Sequence, residues 1–508
     1  MAKWGEPPAT WDKAALHSFI IRVVNSVLHD NDLESSPINE SQDLFEQGCN
    51  SLQATYIRVA IAWTLCQAPT TKVQFKHLPT RVPQNLVYYH PTIPSLVAYM
   101  DAILHSVEEE AAGEPDRSTR TTENMHMLVE KYSQDYPTHH PIGTKGHSEI
   151  LLLTGSSGRL GTYLLQNLLC DDRVDRVFAV NRQSAKLRLV AVNISEEDLG
   201  LDQELLQEIC VSITSIIQNA WRVDFNLSLS AFGSNIQFTR SGLNLALKTQ
   251  TPVPAQFIFT SSIGTVANWA KPGPVPEAPL TDPGLAIGSG YSESKWVSEQ
   301  LIIAAAEQRG LKATILRIGQ LASSIQNGAW NTTDWLPLMP KSGATFGVLP
   351  SFSRCVSWLP VDKAAQSIIE VMHGRATESR VDLTYLNVAH PHAVHWDLIL
   401  ESIAKTLHCE LVPSHEWMQR LNESADRPTD IEGNPAIKLL DFFRRACASS
   451  EGIEDNRGYE RKEAMGVPDL ETAGARARSE TLGQLRPLDQ KDADRWLAYW
   501  INRGLFSF

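Results

Sequence analysis

Tyr291 and Lys295 stand four residues apart in Tyr291-Ser-Glu-Ser-Lys295. On a helix that spacing puts both side chains on one face. A free tyrosine titrates near about 10, and a neighbouring ammonium favours its phenolate, so the pair reads as an acid–base couple for work near neutral pH. Ser262 closes the apolar run Phe257-Ile-Phe-Thr-Ser-Ser262, where its hydroxyl could hydrogen-bond a substrate carbonyl oxygen; Ser261 competes for that role. Upstream, Leu-Leu-Leu-Thr leads into Gly155-Ser156-Ser157-Gly158-Arg159-Leu160-Gly161. Glycines at this spacing, after a strand and opening a helix, let the backbone approach a pyrophosphate, and the four residues between them share that cofactor contact. The next predicted strand ends in Asn181-Arg182. A chain that binds NAD usually has an acidic residue there; an arginine suits a 2′-phosphate, so NADPH is the expected cofactor, and Arg159 could add a second charge. The chemistry these groups can do together is hydride transfer to a carbonyl, with Tyr291 supplying the proton and Lys295 also holding the nicotinamide ribose.

The elements that must position them follow from hydrophobic periodicity. From Glu149 the chain alternates strand and helix: strands at 150–153, 176–180, 213–217, 256–259 and 313–318, and a helix at 160–169. This is the rhythm of a doubly wound parallel sheet, so the fold class is α/β. The N-terminal part is different. Leu16, Phe19, Ile20, Val23, Val24 and Val27 predict a helix over 12–29; Ile57, Ile61 and Leu65 predict a second from Ser51; Pro91 to Met100 predicts a third. These make a small all-α bundle. Residues 108–124 are charged and Thr-rich and read as linker. The expected division is 1–106 bundle, 107–147 linker, 148–370 nucleotide-binding domain and 371–508 a mixed C-terminal subdomain, with helices at 396–407, 436–448 and 489–499.

Ser51 lies in Asp43-Leu-Phe-Glu-Gln-Gly-Cys-Asn-Ser-Leu-Gln-Ala54, at the predicted start of a helix, where amides and dipole favour a phosphate. A serine there is more often a simple N-cap. The whole stretch, inside a bundle of this size and followed by Val87-Tyr-Tyr-His-Pro-Thr-Ile93, resembles the peptidyl-carrier (thiolation) domain of fungal nonribosomal-peptide-synthetase-like enzymes. That resemblance implies that Ser51 carries 4'-phosphopantetheine, attached by a phosphopantetheinyl transferase, with Asn50 in place of a common aspartate.

Ser262, Tyr291 and Lys295 in this order resemble the short-chain dehydrogenase triad in its extended form. The segments Ile216-Ile-Gln-Asn219-Ala220-Trp221-Arg-Val-Asp-Phe-Asn226, Arg317-Ile-Gly-Gln320, Gly328-Ala-Trp330-Asn331, Trp358-Leu-Pro-Val-Asp362 and Asn387-Val-Ala-His-Pro391 resemble the thioester reductase domain of adenylate-forming reductases of the aminoadipate-reductase type. The resemblance runs from about 12 to 505. It implies an enzyme that reduces a carrier-bound acyl thioester with NADPH to an aldehyde, or with a second hydride to an alcohol, in secondary metabolism. It also implies that Asn219 and Ala220 line the cofactor cleft and that the C-terminal subdomain faces the substrate. The chain shows no adenylation domain, so it is expected either to receive its acyl group from an adenylation enzyme or synthase in trans or to be a fragment of a longer protein. Only 35 residues separate Arg182 from Gln218, fewer than in the family, with Asn193 where an aspartate is expected and Gln218 where a histidine is usual.

Composition excludes other classes. The net charge is -13, and no basic cluster stands out, which argues against nucleic acid as a partner. No run of about 18 apolar residues predicts a membrane span, and Met1 to Thr10 lacks an apolar signal core. Seven scattered cysteines suit a reduced, cytoplasmic protein. His390, His392 and His395 lie close together without a cysteine at ligand spacing, so no metal site is expected. The absence of a Gly-x-Ser-x-Gly elbow argues against a thioesterase. The competing readings are a carrier or scaffold protein with an impaired reductase half, a cyclising release domain, and a free-standing sugar or steroid dehydrogenase, which would not need Ser51.

Overall fold

The computed structural model describes residues 8, 11–28, 38–45, 47–49, 51–67, 82, 86–105, 117–142, 148–179, 187–190, 196, 198–225, 227–374, 383–425, 427, 433–450 and 463–506. Arg182, Asn193 and Asn50 lie outside them.

The N-terminal bundle consists of α1 (Lys13–Leu28), α2 (Ser51–Gln67), α3 (Leu86–Tyr89) and α4 (Ile93–His105). Leu16, Phe19, Ile20, Val23 and Val24 form the buried stripe of α1, as their spacing predicts, and meet Ile57, Ala60 and Ile61 of α2. The loop before α2 is held from two sides. Leu44 N donates to Pro91 O at 2.7 Å, and Phe45 stacks on Tyr88 at 4.9 Å. Gly48 turns the chain with φ +97°, a conformation that side chains with a Cβ rarely adopt.

The expected linker is in part a helix. From Arg117 to Tyr132 the chain forms α5, whose Met125, Leu128, Val129 and Tyr132 pack into the core of the α/β domain. The charged, Thr-rich composition that suggested a linker belongs to the outer face and the first turns. The apolar residues at i, i+3, i+4 and i+7 come later and decide the matter. The irregular piece after it is also anchored: the Tyr136 hydroxyl donates to Leu301 O at 2.9 Å, and Arg240 lies over the Tyr136 ring.

Seven parallel strands form the central sheet: β1 (Glu149–Leu153), β2 (Val174–Ala179), β3 (Leu187–Leu189), β4 (Ser215–Gln218), β5 (Gln256–Ser262), β6 (Ala313–Ile318) and β7 (Leu383–Val388). Their order is β7-β6-β5-β4-β1-β2-β3. The chain winds outward from β1 to β3, then returns to β4 on the other side of β1. A crevice opens at that reversal, beyond the carboxyl ends of β1 and β4, which is where nucleotides bind in open α/β sheets. Between β3 and β4 lies α7 (Gln203–Ser212), capped by Asp202. Helices α6 (Arg159–Cys170), α8 (Gly233–Lys248), α9 (Gly290–Arg309) and α11 (Val361–His373) flank the sheet.

The boundary expected at 370 does not divide the structure there. Leu383–Val388 pairs with β6 and completes the sheet. The second core gathers Trp330, Trp335 and Trp358 from before that point with Trp396, Trp417, Trp496 and Trp500 from after it. The subdomain is therefore assembled from two chain segments around the sheet's last strand. It includes α10 (Trp335–Phe346), α12 (Trp396–Leu407), α13 (Ser414–Ala425), α14 (Leu440–Ser450) and α17 (Gln490–Asn502), with α15 (Ala473–Arg478) and α16 (Glu480–Gly483) packed toward the sheet. Among the described residues no helix is long and apolar enough to cross a membrane.

Candidate active site

The glycine loop leaves β1 and enters α6. Gly155 has φ +68°, and a Cβ there would lie 2.7 Å from Ala220 N. A Cβ on Gly161 would fall 1.8 Å from Gly155 O. Both positions need hydrogen because the loop, α6 and the turn after β4 are in direct backbone contact. Thr154 ties that turn down: its hydroxyl accepts from Asn219 N and Ala220 N, each at 3.0 Å, while Asn219 Nδ2 donates to Gly155 O at 3.2 Å. The predicted neighbours Asn219 and Ala220 are thus brought to the glycine loop. Ser156 is buried, Leu160 packs in the core beneath the loop, and Ser157 and Gly158 are exposed at its tip. Gln218 is buried and donates to Thr239 at 2.9 Å.

Beside Ala220 lies a cavity of about 400 Å³ lined by Ala220, Trp221, Arg222, Ala231, Ser234, Asn235 and Phe238. The Trp221 indole N–H is buried without a hydrogen-bond partner, and the polar Asn235 side chain is buried in the cavity wall. A cradle with no room for Cβ, next to a cavity with an unpartnered indole N–H in its wall, fits a dinucleotide.

The candidate catalytic residues sit at the end of β5 and the start of α9. Ser289 caps α9, its hydroxyl accepting from Ser292 N. The helix then presents Tyr291 and Lys295 on one face. The Ser262 side chain lies near enough to Tyr291 to favour its phenolate, and its hydroxyl also accepts from Gly264 N at 3.1 Å. Lys295 is buried; its Nζ donates to Thr260 O at 2.6 Å and lies 4.0 Å from the Trp221 ring centre and 4.6 Å from that of Phe259. The two candidate serines separate cleanly. Ser261 is buried and donates to Glu299 at 2.5 Å, whereas Ser262 faces Tyr291. The electrostatics differ from the sequence expectation. Burial pushes the Tyr291 phenol above its ordinary value, against the opposing effect of Ser262, and burial pushes Lys295 well below its own, against the pull of Glu299. Tyr291 is therefore kept protonated, the state a proton donor needs.

Two elements at this site escaped sequence reading. Glu299, on the same face as Tyr291 and Lys295, is buried and accepts from Arg317 Nη2 at 2.8 Å, from Thr265 at 3.2 Å and from Ser261. Its i+4 spacing from Lys295 was a usable signal. The second is an aromatic wall: Phe225 meets Tyr291 edge-on at 5.3 Å and stacks on Phe442 of α14 at 5.8 Å. No local pattern links residues so far apart in the chain.

Arg159 is placed differently from the sequence expectation. Its guanidinium pairs with Asp334 at 2.8 Å, donates to Ala322 O and lies 4.9 Å from the Trp330 ring centre. Ser51 is the first residue of α2. The bundle core is continuous with Leu227 and Phe232, and Trp221, Ala231 and Tyr291 pack against the same cluster; α2 also touches Pro435–Leu439. His390 is buried with its Nε2 on Arg486 O and its Nδ1 accepting from His392 N, and among the described residues no three His, Cys, Asp or Glu side chains gather as a metal site.

Residues 175–368 match the NAD-binding family described as Male sterility protein. With the fold and the glycine loop, this defines an NAD(P)-dependent reductase of the short-chain dehydrogenase type. Its relatives are fungal adenylate-forming reductases. Adenylate-forming reductase Nps10 of Heterobasidion annosum is 32% identical over 533 aligned residues, 98% of this chain and 46% of that protein. Adenylate-forming reductase Nps11 of Serpula lacrymans is 33% identical, with 92% and 45% covered. A carboxylic acid reductase of Neurospora crassa is 28% identical, with 93% and 46% covered. The chain spans about half the length of these curated relatives. The fold is shared with a thiolation–reductase di-domain of an archaeal nonribosomal peptide synthetase, at TM-score 0.62 and 16% identity over 97% of this chain and 98% of that one. It is shared too with the terminal reductase domain of the myxalamid pathway, at TM-score 0.60 and 21% identity over 76% and 99%.

Proposed function

We propose that the chain carries an acyl group as a thioester on a 4'-phosphopantetheine arm at Ser51 and releases it by reduction with NADPH to an aldehyde. The observation that carries this reading is the packing of the carrier-like bundle against the residues around Tyr291, within one chain. A tether of this kind raises the effective concentration of substrate without a second binding event. Bound NADPH would supply the hydride; thioester, NADPH and one proton give aldehyde, free thiol and NADP⁺.

The chain's own groups do the rest. The backbone of the glycine loop from Gly155 to Gly161, with Asn219 and Ala220, holds the dinucleotide, and Arg182 favours its 2′-phosphate. Ser262 and Tyr291 donate to the carbonyl oxygen as negative charge develops there. Tyr291, still protonated because it is buried, passes its proton to that oxygen. Lys295, fixed by Thr260 O and the two rings, holds the nicotinamide ribose. Phe225, Phe232 and the bundle exclude water from Tyr291. An adenylation enzyme or a synthase loads the arm.

A single-turnover assay tests the reading. The protein is loaded at Ser51 with acyl-pantetheine by a phosphopantetheinyl transferase, NADPH is added, and intact mass and absorbance at the NADPH band are followed. Loss of the acyl mass with stoichiometric NADPH oxidation, absent in Ser51→Ala, is expected. Loading without oxidation across several acyl groups would refute it and favour a scaffold with an impaired reductase half.

A further inference from the structure

Arg159 sits inside the glycine loop, yet its side chain leaves the nucleotide-binding domain. Its fork reaches Asp334 at 2.8 Å and Ala322 O, and its face covers the Trp330 ring at 4.9 Å. These contacts are close to the root of the C-terminal subdomain. Asp334 is the N-cap residue of α10 and also accepts from Trp330 Nε1 at 2.9 Å. Trp330 in turn packs on Trp358, Trp496 and Trp500. The carboxylate is thus shared between the cofactor loop and the tryptophan core of the other subdomain. One end of this link is fixed when a dinucleotide settles on the loop. The other carries α10, whose Trp335 meets Phe442, and Phe442 stacks on Phe225 beside Tyr291.

We propose that Arg159 is a positioning residue: a clasp through which an occupied cofactor loop sets the C-terminal subdomain over Tyr291, so that cofactor and acyl thioester bind cooperatively. The inference rests on the reductase reading for its function but on the Arg159–Asp334–Trp330 geometry for its structure. Reciprocity requires that whatever the cofactor does to acyl binding through the clasp, the acyl group does to cofactor binding. A guanidinium that reaches a carboxylate and a backbone carbonyl at once while lying over an indole is not replaced by an ammonium, so lysine restores the charge without the full contact.

The test uses the full chain and three readouts: NADPH affinity by cofactor fluorescence, KM for soluble acyl N-acetylcysteamine thioesters, and amide hydrogen exchange across residues 331–346 with and without NADP⁺. In the wild type NADP⁺ is expected to slow that exchange severalfold. R159M should abolish the slowing and raise the thioester KM about tenfold while NADPH affinity stays within about threefold. R159K should fall between, and D334N should match R159M. A tenfold loss of NADPH affinity in R159M, or a gain in D334N as the arginine is set free, would overturn the clasp and make Arg159 a cofactor ligand. Exchange and KM unchanged in both variants would overturn it outright. A wild type that binds no NADPH would sink the reductase reading instead. The melting temperatures of R159M, D334N and the double variant would then still judge the clasp, which predicts that the two losses do not add.

Discussion

Glu299 offers the most demanding check on how the site is held. Its carboxylate is fully buried and surrounded by donors: Arg317 Nη2 at 2.8 Å and Nε at 3.2 Å, Ser261 at 2.5 Å and Thr265 at 3.2 Å. Arg317 is equally buried and also donates to Ala278 O at 3.0 Å. Glu299→Gln keeps the size of the side chain but removes its charge. It leaves a guanidinium in the interior without a counter-ion, and half of the new amide offers donors where donors already point. Breaking a buried pair by removing one partner costs about 3–5 kcal/mol. In a domain of 150–250 residues each kcal/mol moves the melting temperature by about 2–4 °C, so a fall of roughly 6–20 °C is expected. Circular dichroism on the full chain measures it. The same change removes the attraction that opposes the downward push of burial on Lys295. The ammonium should then be lost at lower pH, and the alkaline limb of kcat/KM should move down. A melting temperature within about 2 °C of wild type, with an unmoved alkaline limb, would refute the assignment of Glu299 as the electrostatic anchor of this helix.

Other perturbations probe the remaining parts. Gly161→Ala drives a methyl to 1.8 Å from Gly155 O, a backbone atom that cannot yield, so NADPH affinity should fall at least about tenfold, near 1.4 kcal/mol, by fluorescence titration. An unchanged affinity would place the dinucleotide elsewhere. Tyr291→Phe keeps the ring against Phe225 and removes the proton donor; kcat should drop by about 10²–10⁴ with NADPH binding retained. Glu463 is buried, and burial raises its carboxyl to about 7 against hydrogen bonds from Ser357. The protonated form is the one the fold favours. Its stabilising effect is therefore complete below the unfolded value near about 4.5 and is lost as pH rises through 7. Glu463→Gln should accordingly raise the melting temperature at pH 8 and leave it nearly unchanged at pH 4.5; equal effects at both would contradict the assignment.

Local pattern and tertiary context contributed unequally. Segments whose role is written in their own residues could be read directly. The strand at 313–318 and the helix at 396–407 have the predicted bounds, because a buried apolar run and a 3.6-residue stripe each encode their own element. The same holds for the glycine loop, since its spacing expresses a steric limit that Gly155 and Gly161 meet within a few residues. The segment from Arg117 opens with polar turns that resemble a linker, and the apolar stripe that docks it as a helix comes only from Met125 to Tyr132.

The sequence by itself determined the α/β class, the glycine loop at Gly155–Gly161, the pairing of Tyr291 with Lys295 on one helical face, and a separate helical bundle beginning α2 at Ser51. All of these depend on steric rules and periodicities that act over a few residues. Tertiary structure alone decided which serine faces Tyr291, that Arg159 turns away to Asp334, that Lys295 lies between Trp221 and Phe259, and that strand 383–388 closes the sheet inside what had looked like the C-terminal subdomain. The reason is that desolvation and pairing depend on which neighbours arrive from elsewhere in the chain. Ser261 and Ser262 are alike as letters. One is sealed against Glu299 and the other left facing the phenol only once β5 is laid between β4 and β6 and α9 is packed across it.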